Sequence, residues 1–192
     1  MVHTVAQTRG GKGAKMLDWL FRPGAAKSAG GALYAKCAKA ARETGFYTAL
    51  QVPDTVEGRF ELYALHVLLV VRRLRGEGEA AAAVSQALFD ALLMGLDDGL
   101  REMGVGDLSV GKKMRKLGEA IYGRARNLDA ALDGLPERTE LAAMMRRTVY
   151  QDQEGKPSAE LAAWTALATE ALQAQSLDAL LAGEVAFPGV PA

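Results

Sequence analysis

The chain has 192 residues, 49% of them hydrophobic and 24% charged, an ordinary globular composition that excludes wholesale disorder and, at roughly 150 residues per domain, favours one domain over two. Its 23 Lys and Arg balance 23 Asp and Glu, so no global field recruits nucleic acid or anionic lipid, and a charged partner has to be read by a local patch. A single cysteine, Cys37, and two histidines, His3 and His66, leave no zinc cluster and no Ser-His-Asp set, and fit a reducing compartment.

Strand signals are nearly absent and the apolar period is 3.6 almost throughout. The expectation is therefore an all-α fold, a single compact multi-helix domain around a central buried helix. Near the start, Arg9, Lys12 and Lys15 without an acid resemble a transit peptide. No apolar signal core accompanies them, so the Gly-rich stretch reads as a flexible extension. Residues 1–30 are assigned to that extension and to a short apolar patch, Leu17, Trp19, Leu20 and Phe21, and residues 31–187 to the helical domain. Pro23 to Gly31 reads as a small-residue connector before a helix from about Ala32 to Glu43, closed by Gly45.

Asp54 is the expected N-cap of the next helix, with Glu57 reaching back to it. This helix should run to Arg75 and stop at Gly76 and Gly78, and its apolar residues cover most of its circumference, as in a helix packed by others. Its longest apolar run, Leu62 to Val71, covers ten residues against the roughly 20 needed to cross a bilayer. From Glu79 to Met103, Leu88, Phe89, Leu92, Leu93, Leu96 and Leu100 share one arc, and Gln86, Asp90, Asp97 and Arg101 another. A turn at Gly104 to Asp107 leads to Ser109, the expected cap of a basic helix ending near Tyr122-Gly123. Further helices are expected over 127–132, 136–151 and 158–181, the last closed by Gly183.

Four patterns bear on chemistry. Gly106 to Lys113 matches the GxxxxGK part of a phosphate-binding loop, but a helix precedes it and Lys113 stands where Ser or Thr must hold magnesium, so the NTPase reading fails. Asp90, Asp97 and Asp98 resemble the Asp-rich helix of magnesium-dependent isoprenoid enzymes, yet no second acidic cluster faces them. The alternative is an Asp97–Arg101 pair at i,i+4. Arg59, His66 and Arg73 recur every seven residues, a stripe expected to meet Asp90 and Asp97, with His66 in the core. Finally, Glu77 to Leu100 holds five acids and no base, whereas Arg101 to Arg126 holds seven bases and three acids, a segregation that fits either solvated faces or a polyanion site. Few aromatics interleave the bases, which speaks against specific nucleic-acid reading.

Several spaced runs resemble one family. Phe46-Tyr47, Val52-Pro53-Asp54-Thr55, Gly58-Arg59-Phe60-Glu61-Leu62, Ser85-Gln86-Ala87-Leu88-Phe89-Asp90, Asp97 to Asp107, Lys112 and Tyr122-Gly123-Arg124 are similar, in this order, to the ubiquinol-cytochrome c chaperone family. The resemblance implies a non-catalytic assembly factor for respiratory complex III that needs no cofactor or metal. It implies as partners newly made cytochrome b, a small partner protein, and a ribosome or anionic membrane surface, without specific DNA binding. It also implies a place at the cytoplasmic face of a bacterial inner membrane, or the matrix side in a eukaryote.

The partner surface is assigned to the helix-turn-helix around Met103: Asp90, Asp97, Asp98, Arg101, Glu102, Asp107, Lys112, Lys113, Arg115, Lys116 and Arg124. Structural roles fall to Asp54, Gly58, Arg59, Gly104 and Gly106. Met94, Met103, Met114, Met144 and Met145 are candidates to line an adaptable apolar groove. Two other readings stay open: a magnesium enzyme acting on an isoprenoid diphosphate through Asp90, Asp97 and Asp98, and a ribosome or membrane-surface adaptor without a client.

Overall fold

The computed structural model describes residues 24–190, and the expectations for Arg9, Lys12, Lys15 and the Leu17–Phe21 patch lie outside them. The described residues form eight helices and no strand: α1 Ala25–Ala40, α2 Thr44–Thr48, α3 Val56–Leu74, α4 Glu79–Glu102, α5 Asp107–Asp133, α6 Thr139–Thr148, α7 Ser158–Ala174 and α8 Leu177–Leu181. They pack into one all-α domain.

α3 is the centre. Leu62 and every residue from Ala64 to Val70 are buried, because α1, α4, α5 and α7 all pack on it. The cap at its start is Thr55, one residue later than expected: its Oγ1 accepts from Gly58 N at 3.1 Å. Asp54 is drawn instead to Arg59 Nε at 2.6 Å. With Thr55 as the cap, the third helical position is Gly58 and not Glu57, so the anticipated reciprocal bond does not form.

The stretch read as a connector belongs to α1. Alanine is the best helix former, and Ala25, Ala29 and Gly30 are buried, so the helical body extends into the range assigned to an extension. Gly30 is a point of close approach: a Cβ there would lie 2.6 Å from the backbone of Ala87 and Leu88 in α4. Gly45 lies inside α2 and caps nothing.

Two other boundaries shift for tertiary reasons. α5 starts at Asp107 and passes through Tyr122-Gly123 to Asp133, absorbing the separate helix expected at 127–132. The expected helix 158–181 breaks at Gln175, where Arg73 caps α7 by donating from Nε to Leu172 O at 3.1 Å and from Nη2 to Gln175 O at 3.3 Å. Ser176 then starts α8, its Oγ accepting from Ala179 N at 3.2 Å.

The expected Arg59–His66–Arg73 stripe therefore meets neither Asp90 nor Asp97. Arg59 pairs with Asp54, and Arg73 with Glu77 at 2.6 Å. His66 is fully buried, enclosed by Phe46, Trp164 and Phe187 with ring centroids 4.7 to 5.3 Å away. Its Nδ1 lies 2.8 Å from Leu62 O and so carries the proton it donates, while Nε2 has no hydrogen-bond partner. Cys37 is also buried, and burial raises its thiol pKa above the usual range.

Burial lowers the His66 pKa to about 4, against the weaker opposing effect of the Leu62 carbonyl. Between the unfolded value of about 6.5 and the folded one, the unfolded chain binds a proton that the native chain does not. Stability is therefore complete above that window and falls as pH drops through it. Urea unfolding of the natural chain and of His66→Leu at pH 7.5 and pH 5 should show their difference in stability changing by about 2 kcal/mol. A difference independent of pH would contradict the neutral, buried assignment.

Candidate partner-binding site: the α4–α5 arm

α4 and α5 form a helical hairpin whose inner half is built into the body and whose outer half is only partly covered by it, Leu93 and Leu96 touching the core from one side. On α4, Ala81, Val84, Leu88 and Leu92 are buried, and beyond Leu92 no residue of the helix is. Leu93, Leu96 and Leu100 share the face that Phe89 turns to Tyr122 of α5, their ring centroids 5.5 Å apart, and all three are only half-buried. Met94 and Met103 are 59% and 54% exposed. On α5, Val110 and Ile121 are buried, with Met114 and Leu117 half-buried between them. α4 is the one described helix long and apolar enough to cross a membrane, yet only 22% of its most apolar 18-residue window is buried. The Leu62–Val71 run gives the stronger signal in sequence, because it is broken only by His66 whereas α4 spreads its apolar residues among polar ones.

The turn between the helices is fixed by backbone bonds and one arginine. Gly104 takes φ 77°, and Gly104 N and Val105 N donate to Arg101 O at 2.9 Å and Leu100 O at 3.1 Å, a Schellman closure that needs a left-handed residue. Arg101 Nε donates to Asp97 Oδ2 at 2.6 Å and its Nη1 to Asp107, so one guanidinium joins the end of α4 to the start of α5. Gly106, not Ser109, is the N-cap of α5. Its φ of −64° and the open space at its Cβ position demand no glycine. Gly58 differs, since a Cβ there would lie 2.0 Å from Pro53 O.

The remaining assigned residues divide into free and committed charges. Lys112, Lys113, Arg115 and Lys116 are exposed and make no ion pair among the described residues, and Asp98 and Glu102 are likewise exposed. Asp90 accepts from Gln86 Nε2 at 2.7 Å. The three aspartates do not converge: among the described residues no three His, Cys, Asp or Glu side chains are grouped to hold a metal ion. Met144 and Met145 are core residues, away from the arm.

Arg124, assigned to the partner surface, turns inward. It grips Glu61 of α3 through Nε, 2.5 Å from Oε2, and through Nη2 to Oε1, and lies 5.4 Å from the Phe60 ring centre. Glu61 is buried and lies outside the residues that the sequence singles out for the site. Burial raises its carboxyl pKa, and the Arg124 hydrogen bonds oppose that rise. Its periodicity carried a signal: Glu61, Leu65, Leu68 and Arg72 share one core-facing stripe, on which an acid requires a cation. Arg72 makes the second tie to α5, at 2.8 Å to Asp129 and 2.6 Å to Asp133.

The fold and the arm define an all-helical domain that displays a half-covered apolar seam beside an unpaired basic helix face. The chain belongs to the ubiquinol-cytochrome C chaperone family, whose model matches residues 48–187. It is similar to the crystal structure of the Cbp3 homolog from Brucella abortus, with 36% sequence identity over 86% of this chain and 92% of that one and a TM-score of 0.79. No curated protein matches the chain.

Removing Arg124 strands a buried carboxylate, so Arg124→Leu should cost about 3 kcal/mol in urea unfolding, while Glu61→Leu combined with Arg124→Leu should recover most of that loss. Additive losses in the double variant would show that the two groups do not act as a pair.

Proposed function

We propose that the protein is an assembly chaperone that holds newly made cytochrome b on the outer half of the α4–α5 arm until the subunit enters respiratory complex III, without making or breaking covalent bonds. The observation that carries this reading is the outer half of α4, where Leu93, Leu96 and Leu100 are only half-buried and Met94 and Met103 lie exposed. A helix with such surface is normally buried or engaged with a partner. Exposed methionines suit a client of variable shape, because their unbranched side chains repack at low cost. The family supplies the assembly pathway in which such a surface is needed.

The basic face of α5 gives the arm a second role. Lys112, Lys113, Arg115 and Lys116 present four cations within five residues, and each such group near an anionic membrane contributes about 1 kcal/mol of attraction. This supports peripheral docking at the cytoplasmic face of the inner membrane, where a membrane-protein client emerges.

Deleting the gene should lower assembled complex III while leaving the transcripts of its subunits intact. Complementation with Met94→Glu/Met103→Glu should fail although the variant folds, because those side chains are exposed. Normal complex III in the deletion strain, or full rescue by the double variant, would overturn the client-holding role. Independently, binding to vesicles containing phosphatidylglycerol should weaken as salt rises and vanish when Lys112, Lys113, Arg115 and Lys116 are changed to Glu. Equal binding to neutral vesicles would reject electrostatic docking.

A further inference from the structure

At the inner end of the arm, α3, α4 and α5 leave an open groove of about 480 Å³. Leu68, Val71 and Leu74 of α3 and Phe89 of α4 form an apolar lining with Tyr122 of α5, and the Tyr122 ring is 65% exposed. Arg75 and Arg126 border it. The groove's carboxylate, Asp129, is already shared by Arg72 and Arg75 at 2.8 Å each, whereas Arg126 makes no ion pair among the described residues. The lining stretches 68–75, 82–89 and 122–129 are each about 10 Å long, the length of two helical turns.

The same surface continues outward along α5. At 100° per residue, Gly111, Arg115, Gly118, Tyr122, Arg126 and Asp129 fall within about 80° of one another. A Cβ on Gly111 or Gly118 would meet nothing within 4 Å. With Gly123, which is equally open but lies off this face, α5 holds three interior glycines for which the fold of this chain gives no steric reason, although glycine is disfavoured relative to alanine inside a helix. Close approach of another backbone accounts for the two on this face.

We propose that this face of α5, with the groove at its inner end, seats an α-helix of a partner protein bearing an apolar stripe and two carboxylates about eleven residues apart, one for Arg115 and one for Arg126. The inference deepens the proposed chaperone role and rests on it. Charge selects an acidic partner, since the groove's own carboxylate is spent and Arg126 is not. Tyr, Phe and Arg over an aliphatic floor is the composition of protein-binding hot spots, and an open trough two turns long suits a helix laid in a groove. The spacing follows from Arg115 and Arg126 lying eleven residues apart, about 16 Å along the axis, which a helix packed alongside must match. Gly111 and Gly118 let the axes approach to the short end of the usual range of about 8–10 Å.

The test uses the full chain and a fluorescein-labelled helical peptide with a leucine stripe and two Glu residues eleven apart, matched by a peptide with Lys at both positions. Fluorescence anisotropy should show the Glu peptide binding at least roughly tenfold more tightly than the Lys peptide. Arg126→Glu should erase that preference. Gly118→Leu should weaken binding at least roughly tenfold while raising the thermal midpoint, because leucine favours the helix that glycine disfavours. Equal binding of the two peptides, no binding, or an unchanged affinity in Gly118→Leu would overturn the proposal. Peptide binding together with normal complex III in the deletion strain would sink the chaperone reading alone. Loss of complex III without peptide binding would sink this surface alone.

Discussion

Two sets of ion pairs between α3 and α5 determine which part of this molecule is body and which part is arm. Glu61 with Arg124, and Arg72 with Asp129 and Asp133, tie the inner half of α5 to the central helix. Glu61 is buried, so its pair is held by desolvation as much as by attraction: once one partner is inside, removing the other leaves a charge that the core cannot solvate. Outward of Arg124 no α5 side chain makes an ion pair to the body among the described residues, and the helix continues beside α4 on a seam of half-buried leucines. The boundary between body and arm is thus set by charge placement, while hydrophobic contact declines gradually along the hairpin.

That arrangement resolves what would otherwise be a contradiction in α4. Its inner half is buried against α1, where Gly30 admits the α4 backbone, and its outer half keeps Leu93, Leu96, Leu100, Met94 and Met103 in partial or full contact with solvent. A helix of this composition gains most by being covered, and the body covers its outer half only in part, through Tyr34 of α1 beside Gly95. Arg101 bridges Asp97 and Asp107 and with the Gly104 turn keeps the two helix ends together. The arm is consequently a shaped surface, and its basic outer face lies beside the apolar one.

Much of this architecture is legible in the sequence because it depends on local pattern. The all-round apolar character of Leu62 to Val71 marks the central helix, and the spacing of Leu88, Leu92 and their neighbours marks α4. What local pattern cannot carry is the identity of distant partners. Gly123 looks like a helix stop, yet α5 runs through it because Ile121 and Leu128 are buried and Arg124 is held by Glu61. Gln175 looks like helix interior, yet Arg73 caps the chain there from a different helix. Asp54 and Thr55 are both competent caps, and the presence of Arg59 to attract Asp54 decides between them. Within the site, the charged residues of the turn are visible as a cluster, and Asp97 with Arg101 follows from i,i+4 spacing. The inward turn of Arg124 is not visible, since its partner lies 63 residues away.

The outer arm is held by a mostly half-covered seam around Val110 and by the Arg101 bridge at its tip, a weaker hold than that of the core, and native-state hydrogen exchange measures this most directly. Amides of 93–102 and 107–118 should exchange through local opening at least roughly 100-fold faster than those of 62–70, which should open only with the whole domain. Equal protection across the outer arm and the central helix would contradict the account, because it would mean that the apolar face of α4 is already as well covered as the core.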